Sequence, residues 1–169
     1  ALRFWCERGI DGFRSDVAHG LAKSEAVEGL GGLTFPVPEG EPDGREHPHW
    51  DQPGVHEIFR EWRAVADEYP GTRVFVAEAW VGRSHRLAAY LRPDELHTAF
   101  NFEFLQAPLL PDQLRAVIDS TLAAHALVGA PATWVLSNHD VPREVSRYAR
   151  DQRGLPHGQP AVDHLVGVP

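Results

Sequence analysis

The chain contains no methionine, one cysteine and one lysine. A single cysteine, Cys6, excludes an internal disulfide framework. It lies in the apolar stretch LRFWCERG, where it reads as a buried small side chain before it reads as a nucleophile. No run approaches the ~20 apolar residues of a membrane span, which argues against a membrane partner. With Lys23 as the sole lysine and a formal net charge of −8, the chain lacks the basic face that nucleic acid requires. Neither absence argues against a neutral ligand such as a sugar. There is no Gly-rich phosphate loop of the G-x-G-x-x-G or Walker type, so a nucleotide-binding sheet has no support. Without a methionine, Ala1 is not a translation start. The first residues read as the end of a helix, and AVDHLVGVP stops without a closing element. The expectation is therefore a piece of a longer protein, in which a missing signal peptide carries no information. A cytoplasmic location is expected; oligomeric state is not addressed by the sequence.

What is present suits one ordinary domain: 169 residues, 43% hydrophobic and 24% charged. ALRFWCERG reads as a helix ended by Gly9, and IDGFRSD as a short strand. Residues 20–52 are rich in Gly, Pro, Glu and His and predict a long loop. DQPGVHEIFREWRAVADEY is the clearest helix. Val55, Ile58, Phe59, Trp62, Val65, Ala66 and Tyr69 fall on one face, Asp51 and Pro53 give a start signal, and Pro70-Gly71 a stop. TRVFVAEAW predicts a strand buried on both faces. GRSHRLAAYLR predicts a helix, HTAFNFEFL a strand with Phe100, Phe102 and Phe104 in the core, and PDQLRAVIDSTLAAHAL a helix. ATWVLSNHD is a second buried strand, and VPREVSRYARD starts a helix or loop. This alternation implies a parallel α/β architecture, either part of a doubly wound sheet or half of a (β/α)8 barrel.

Three of these strands end on an acid: Asp16, Glu78 and Asp140. Active sites of barrels are built at the C-terminal ends of parallel strands; the bland alternative for each acid is a cap on the following helix. The intervals from Asp16 to Glu78 and from Glu78 to Asp140 are equal, each about two ~30-residue βαβ steps long. The second holds the extra strand HTAFNFEF, and the first one step plus the long loop. That loop leaves from the strand end bearing Asp16, as a wall of the site or as a solvated insertion. Arg14 and Asp16 share a strand face, with Phe13 and Ser15 on the other. A guanidinium beside Asp16 favours its ionised, nucleophilic form. Val74 and Val76 on the face of Glu78 favour a raised pKa, as a general acid needs. Two carboxyls in opposed environments are the pattern of glycoside cleavage.

These motifs resemble the α-amylase superfamily, glycoside hydrolase family 13. GFRSD resembles its motif at the end of barrel strand 4, VFVAEAW that of strand 5, and VLSNHD that of strand 7. HPHWDQPGVHEIF, RPDELHTAFNFEFL and NHDVPREVSRY resemble the α-glucosidase and oligo-1,6-glucosidase branch. The resemblance implies that residues 1–169 are a stretch of the catalytic barrel from about strand 4 to strand 7, with the long loop at about 20–52 and no second domain. It implies Asp16 as nucleophile, Glu78 as acid/base, Asp140 as the stabilising carboxylate, Arg14 as the residue that positions Asp16, and His139 as a partner of sugar hydroxyls. The implied function is retaining hydrolysis of terminal α-glucosidic bonds in short oligosaccharides. The alternatives are a transglycosylase or isomerase of the trehalose synthase or sucrose isomerase type, and a non-catalytic amylase-like partner protein. No cofactor is implied, and a structural Ca2+ in a full-length enzyme stays open.

Many α-amylases carry Lys-His at the third and fourth places after the nucleophile, where this chain has His19 and Gly20; that favours short substrates over starch. His19 reads equally as a sugar contact or as an orienting hydrogen bond. Trp80 reads as a sugar-stacking residue or as packing, while Arg143 and Arg147 are expected to brace the loop after Asp140 through salt bridges. His47, Pro48 and His49 with His56 fit no common zinc spacing. The family's earlier strands, eighth strand and C-terminal β domain are missing. The 169 residues alone are therefore expected to be inactive and poorly stable.

Overall fold

The computed structural model describes residues 1–24 and 48–149. Most of the long loop, His47 among it, and the stretch after 149 lie outside the described residues. In chain order the elements are α1 (Leu2–Cys6), β1 (Gly12–Ser15), a 3-10 turn (Ala18–Gly20), α2 (Gly54–Asp67), β2 (Val74–Ala77), α3 (Ser84–Ala89), β3 (Thr98–Asn101), α4 (Phe102–Gln106), α5 (Pro111–Ala126), β4 (Thr133–Trp134) and α6 (Glu144–Tyr148).

The four strands are parallel and lie side by side in sequence order, β1-β2-β3-β4. A doubly wound sheet reverses its strand order at a switch point. The unreversed order selects the other reading, a segment of a barrel wound in one direction. β1 and β2 pair from Gly12 against Val74 to Ser15 against Ala77. They approach so closely at their start that a Cβ on Gly12 would lie 2.3 Å from the Val74 carbonyl oxygen.

α2 covers the outer face of this pair. Phe13 stacks on Phe75 at 5.5 Å, Trp62 lies 6.2 Å from Phe75, and Phe59 bridges Trp62 and Tyr90. The predicted apolar face of α2 is the one that packs, with Val55, Phe59 and Ala66 buried. Burial of a side chain such as Phe75 contributes about 1.5–3 kcal/mol. Between α2 and the turn before β3 lies a polar clamp with no counterpart in the sequence reading. The fully buried Glu95 takes hydrogen bonds from Arg60 (3.1 Å) and Arg92 (3.2 Å) and pairs with His56 Nδ1 (2.7 Å).

Three expectations need correction. β2 is closed only on its helix side: Phe75 and Ala77 are buried, whereas Val74, on the other face, is 40% exposed. β4 is two residues long and among the described residues pairs only with β3; Trp134 and, just past the strand, Leu136 are exposed. HTAFNFEFL is not one strand. Asn101 ends β3 and caps α4, its side-chain oxygen accepting the Phe104 amide at 2.8 Å while its amide donates to Thr121. Phe102 is buried, and Phe100 and Phe104 are half-buried. Asp51 differs in role. It does not cap α2, whose N-cap is Pro53; its carboxylate takes the Tyr90 hydroxyl at 2.6 Å and the Arg86 guanidinium.

Candidate active site

Asp16 and Glu78 are each the first residue past a strand, on adjacent strands, and so stand side by side at the C-terminal edge of the sheet. Arg14, one pleat below Asp16 on the same face, joins them. Its Nη1 donates to Asp16 Oδ1 at 2.7 Å and its Nη2 to Glu78 Oε2 at 2.6 Å. The carboxyls sit in contrasting surroundings, with the Asp16 side chain 69% exposed and that of Glu78 8%. A hydrogen bond from Glu78, then one from Arg14, holds the Asp16 carboxyl below its ordinary range. Burial, then the hydrogen bond with Asp16, pushes Glu78 above its own, against the opposing charge of Arg14. The shifts have the directions that the strand-end pattern anticipates. Burial thus favours the neutral form of Glu78, and the partners of Asp16 favour its charged form.

Asp140 lies beyond β4 on an exposed loop, its amide bonded to the Asn138 side chain at 2.9 Å. His139 Nε2 stands 3.4 Å from Asp140 Oδ2, and the charge of His139 adds to the lowering of Asp16. Helix capping explains none of the three acids: the N-caps of the 3-10 turn, α3 and α6 are Val17, Arg83 and Arg143, and none of these ends has a side-chain cap.

The structure places Trp80 and His19 beside Glu78 in supporting positions. The Trp80 ring stacks on Phe102 at 4.0 Å. His19 is buried, its Nδ1 accepts the Trp80 backbone N–H at 3.3 Å, and Trp50 covers its ring at 5.0 Å. Trp50 can lie there because residue 20 is glycine; a Cβ on Gly20 would meet its ring at 2.6 Å.

Arg143 is exposed and makes no ion pair among the described residues. Arg147 does brace the loop: among the described residues its buried guanidinium donates to the carbonyls of Leu105 and Leu136, the latter at 2.7 Å. Among the described residues no group of three or more His, Cys, Asp or Glu gathers to hold a metal ion. No helix among them is long and apolar enough to cross a membrane.

Sequence reasoning missed the cover formed by Trp50 and Asp51 and the Glu95 clamp. One signal was available: His56, Arg60 and Arg63 recur at helical spacing, a basic stripe on α2 that called for a buried acid.

Comparison with known proteins agrees with this geometry. The sequence model of the alpha amylase catalytic domain matches residues 1–164. The chain is similar to the salivary alpha-glucosidase of Anopheles gambiae, 33% identical over 162 residues, which cover 86% of this chain and 27% of that protein. It is also similar to the oligo-1,6-glucosidase of Heyndrickxia coagulans, 29% identical over 171 residues, 89% of this chain and 29% of that one. The crystal structure of Bacillus licheniformis trehalose-6-phosphate hydrolase superposes with a TM-score of 0.64 at 28% identity, over 90% of this chain and 28% of that one. The chain thus spans between a quarter and a third of the length of these relatives. On the match of its family model over almost the whole sequence, the chain belongs to the alpha-amylase family, and its four strands are a segment of that family's catalytic (β/α)8 barrel.

Proposed function

We propose that this chain carries the catalytic acids of a retaining glycosidase that removes terminal α-linked glucose from short oligosaccharides. The observation that carries the proposal is the bridge of Arg14 between an exposed Asp16, whose carboxyl is held below its ordinary range, and a buried Glu78, whose carboxyl is pushed above its own. Both carboxyls reach the same guanidinium from adjacent strand ends, which supports the short separation of a retaining pair over the ~6.5–9.5 Å gap that an inverting enzyme keeps for water. In this reading Asp16 attacks the anomeric carbon as the bond to the leaving oxygen breaks, and that oxygen takes the proton of Glu78. A glucosyl ester on Asp16 results. Glu78, now ionised, removes a proton from water, whose oxygen displaces Asp16 and returns the sugar with its original configuration. Arg14 holds the nucleophile charged and aimed. Asp140 and His139 bind sugar hydroxyls from the facing loop, and Arg143 lines the approach.

Both the proton and the nucleophile come from side chains, so the chemistry calls for no cofactor. The alpha-glucosidase and oligo-1,6-glucosidase names of the relatives support a short glucoside as substrate. The proposed location is the cytoplasm, with which the free, buried Cys6 is compatible. The 169 residues alone are proposed to be inactive, since Asp16 and Asp140 stand open to solvent and one face of β2 is uncovered. The test is product analysis of the protein at its full encoded length on maltose, isomaltose and sucrose. Release of glucose with retained configuration is expected. A first product of inverted configuration overturns the retaining mechanism, and isomerised or elongated sugars as main products favour the transfer reading.

A further inference from the structure

We infer that His19 is a positioning residue: its imidazole takes the place of a missing backbone acceptor and holds the end of β2, with Glu78, in register with β1. The inference rests on the assignment of Glu78 as acid/base.

The parallel ladder carries the argument. The Val74 amide donates to the Asp11 carbonyl at 2.9 Å and the Glu78 amide to the Ser15 carbonyl at 2.9 Å. Donors on a parallel strand recur every second residue. The next is therefore the Trp80 amide, and its partner in register would be the Val17 carbonyl. That carbonyl has turned away. Val17 adopts φ 45° and ψ 46°, and its oxygen accepts the Gly20 amide at 2.8 Å. The Trp80 amide goes instead to His19 Nδ1 at 3.3 Å.

Glu78 is thus bracketed by three bonds, its own N–H to Ser15, the Ala18 N–H to its carbonyl at 2.8 Å, and the Trp80 N–H to His19. His19 is fixed in turn. Its carbonyl accepts the Asp51 amide at 2.7 Å, and Asp51 is held by Tyr90 and Arg86. With His19 buried to 1% exposure under Trp50, the ring is built into the wall behind the acid rather than offered to the sugar. A ring that accepts at Nδ1 carries its proton on Nε2.

Asparagine places an oxygen near the position of Nδ1, glutamine near that of Nε2, so two conservative variants separate the roles. In the protein at its full encoded length, His19→Asn should keep kcat/KM within about threefold on both maltose and a nitrophenyl α-glucoside. His19→Gln should lose about tenfold more on maltose, whose sugar leaving group needs the proton of Glu78, than on the activated aryl glucoside. Hydrogen exchange at the Trp80 amide should stay slow in His19→Asn and accelerate in His19→Gln. The wild-type 15N spectrum should show His19 as the Nε2–H tautomer.

A glutamine variant as active as asparagine, equal losses on both substrates, unchanged Trp80 exchange, or an Nδ1–H tautomer overturns the inference. If the wild type cleaves neither substrate, the glucosidase reading falls, while exchange and tautomer still decide the role of His19.

Discussion

Two buried glutamates, Glu78 and Glu95, lie at 6% and 0% exposure in the same sheet-and-helix layer, and both pair with arginine. They differ in how much positive charge each receives. Glu95 is met by Arg60, Arg92 and His56, one or more on each oxygen, which satisfies a carboxylate as an anchor. Glu78 shares a single guanidinium with Asp16, and burial pushes its carboxyl above the ordinary range. Burial makes an acid when the cations run short and a clamp when they do not.

The largest effect should come from the exposed partner of the pair. Asp16→Asn removes the nucleophile and should lower kcat by at least about 10⁴-fold with little loss of stability, since the side chain is open to water. Turnover of a nitrophenyl α-glucoside by the full-length protein, with a melting curve alongside, measures both. Next, Glu78→Gln should cost about 10²–10⁴-fold in turnover. Its stability should move the other way with pH. The folded pKa of Glu78 lies above its unfolded value, so its contribution is complete below the unfolded pKa and is lost as pH rises through the folded one. The variant should therefore gain on the wild type as pH rises; parallel melting curves across that range would contradict the assignment.

The clamp should answer in reverse. Glu95→Gln should cost about 3 kcal/mol of stability, moderated because Arg60 and Arg92 are partly exposed and can rehydrate, and should leave the kcat of folded protein near normal. Denaturant titration and active-site-normalised rates separate the two. The smallest effect concerns Arg14, whose charge lowers both carboxyls of the pair. With Arg14→Gln, both limbs of the kcat/KM pH profile should move upward. A shift of the acid limb alone would mean that the bridge to Glu78 does not form in solution.

Much of this was legible in the chain. Gly9 and Gly71 take positive φ at the predicted helix ends, and the apolar stripe of α2 is the face that packs. Arg14 and Asp16 were one pleat apart in the sequence, and parity alone predicted their contact. What escaped had its cause far along the chain. Nothing near Glu95 but Arg92 announces its burial; the other partners sit on α2. Strand burial was overread because an apolar run says how a strand can pack, not whether a neighbour is there to cover it. The helical turn at Phe102 was hidden by alternating phenylalanines that imitate a strand, although Asn101 before them is a good cap.

A side chain at position 20 and the Trp50 indole compete for one volume, since a Cβ there would lie 2.6 Å from the ring. The two sites are therefore epistatic. The histidine that many α-amylases carry at this place cannot be grafted here alone; it must arrive with a smaller residue at 50. That swap would also uncover His19. A change at position 20 would therefore reach Glu78 through the residues that back it, and under the proposed function it would alter proton delivery along with sugar preference.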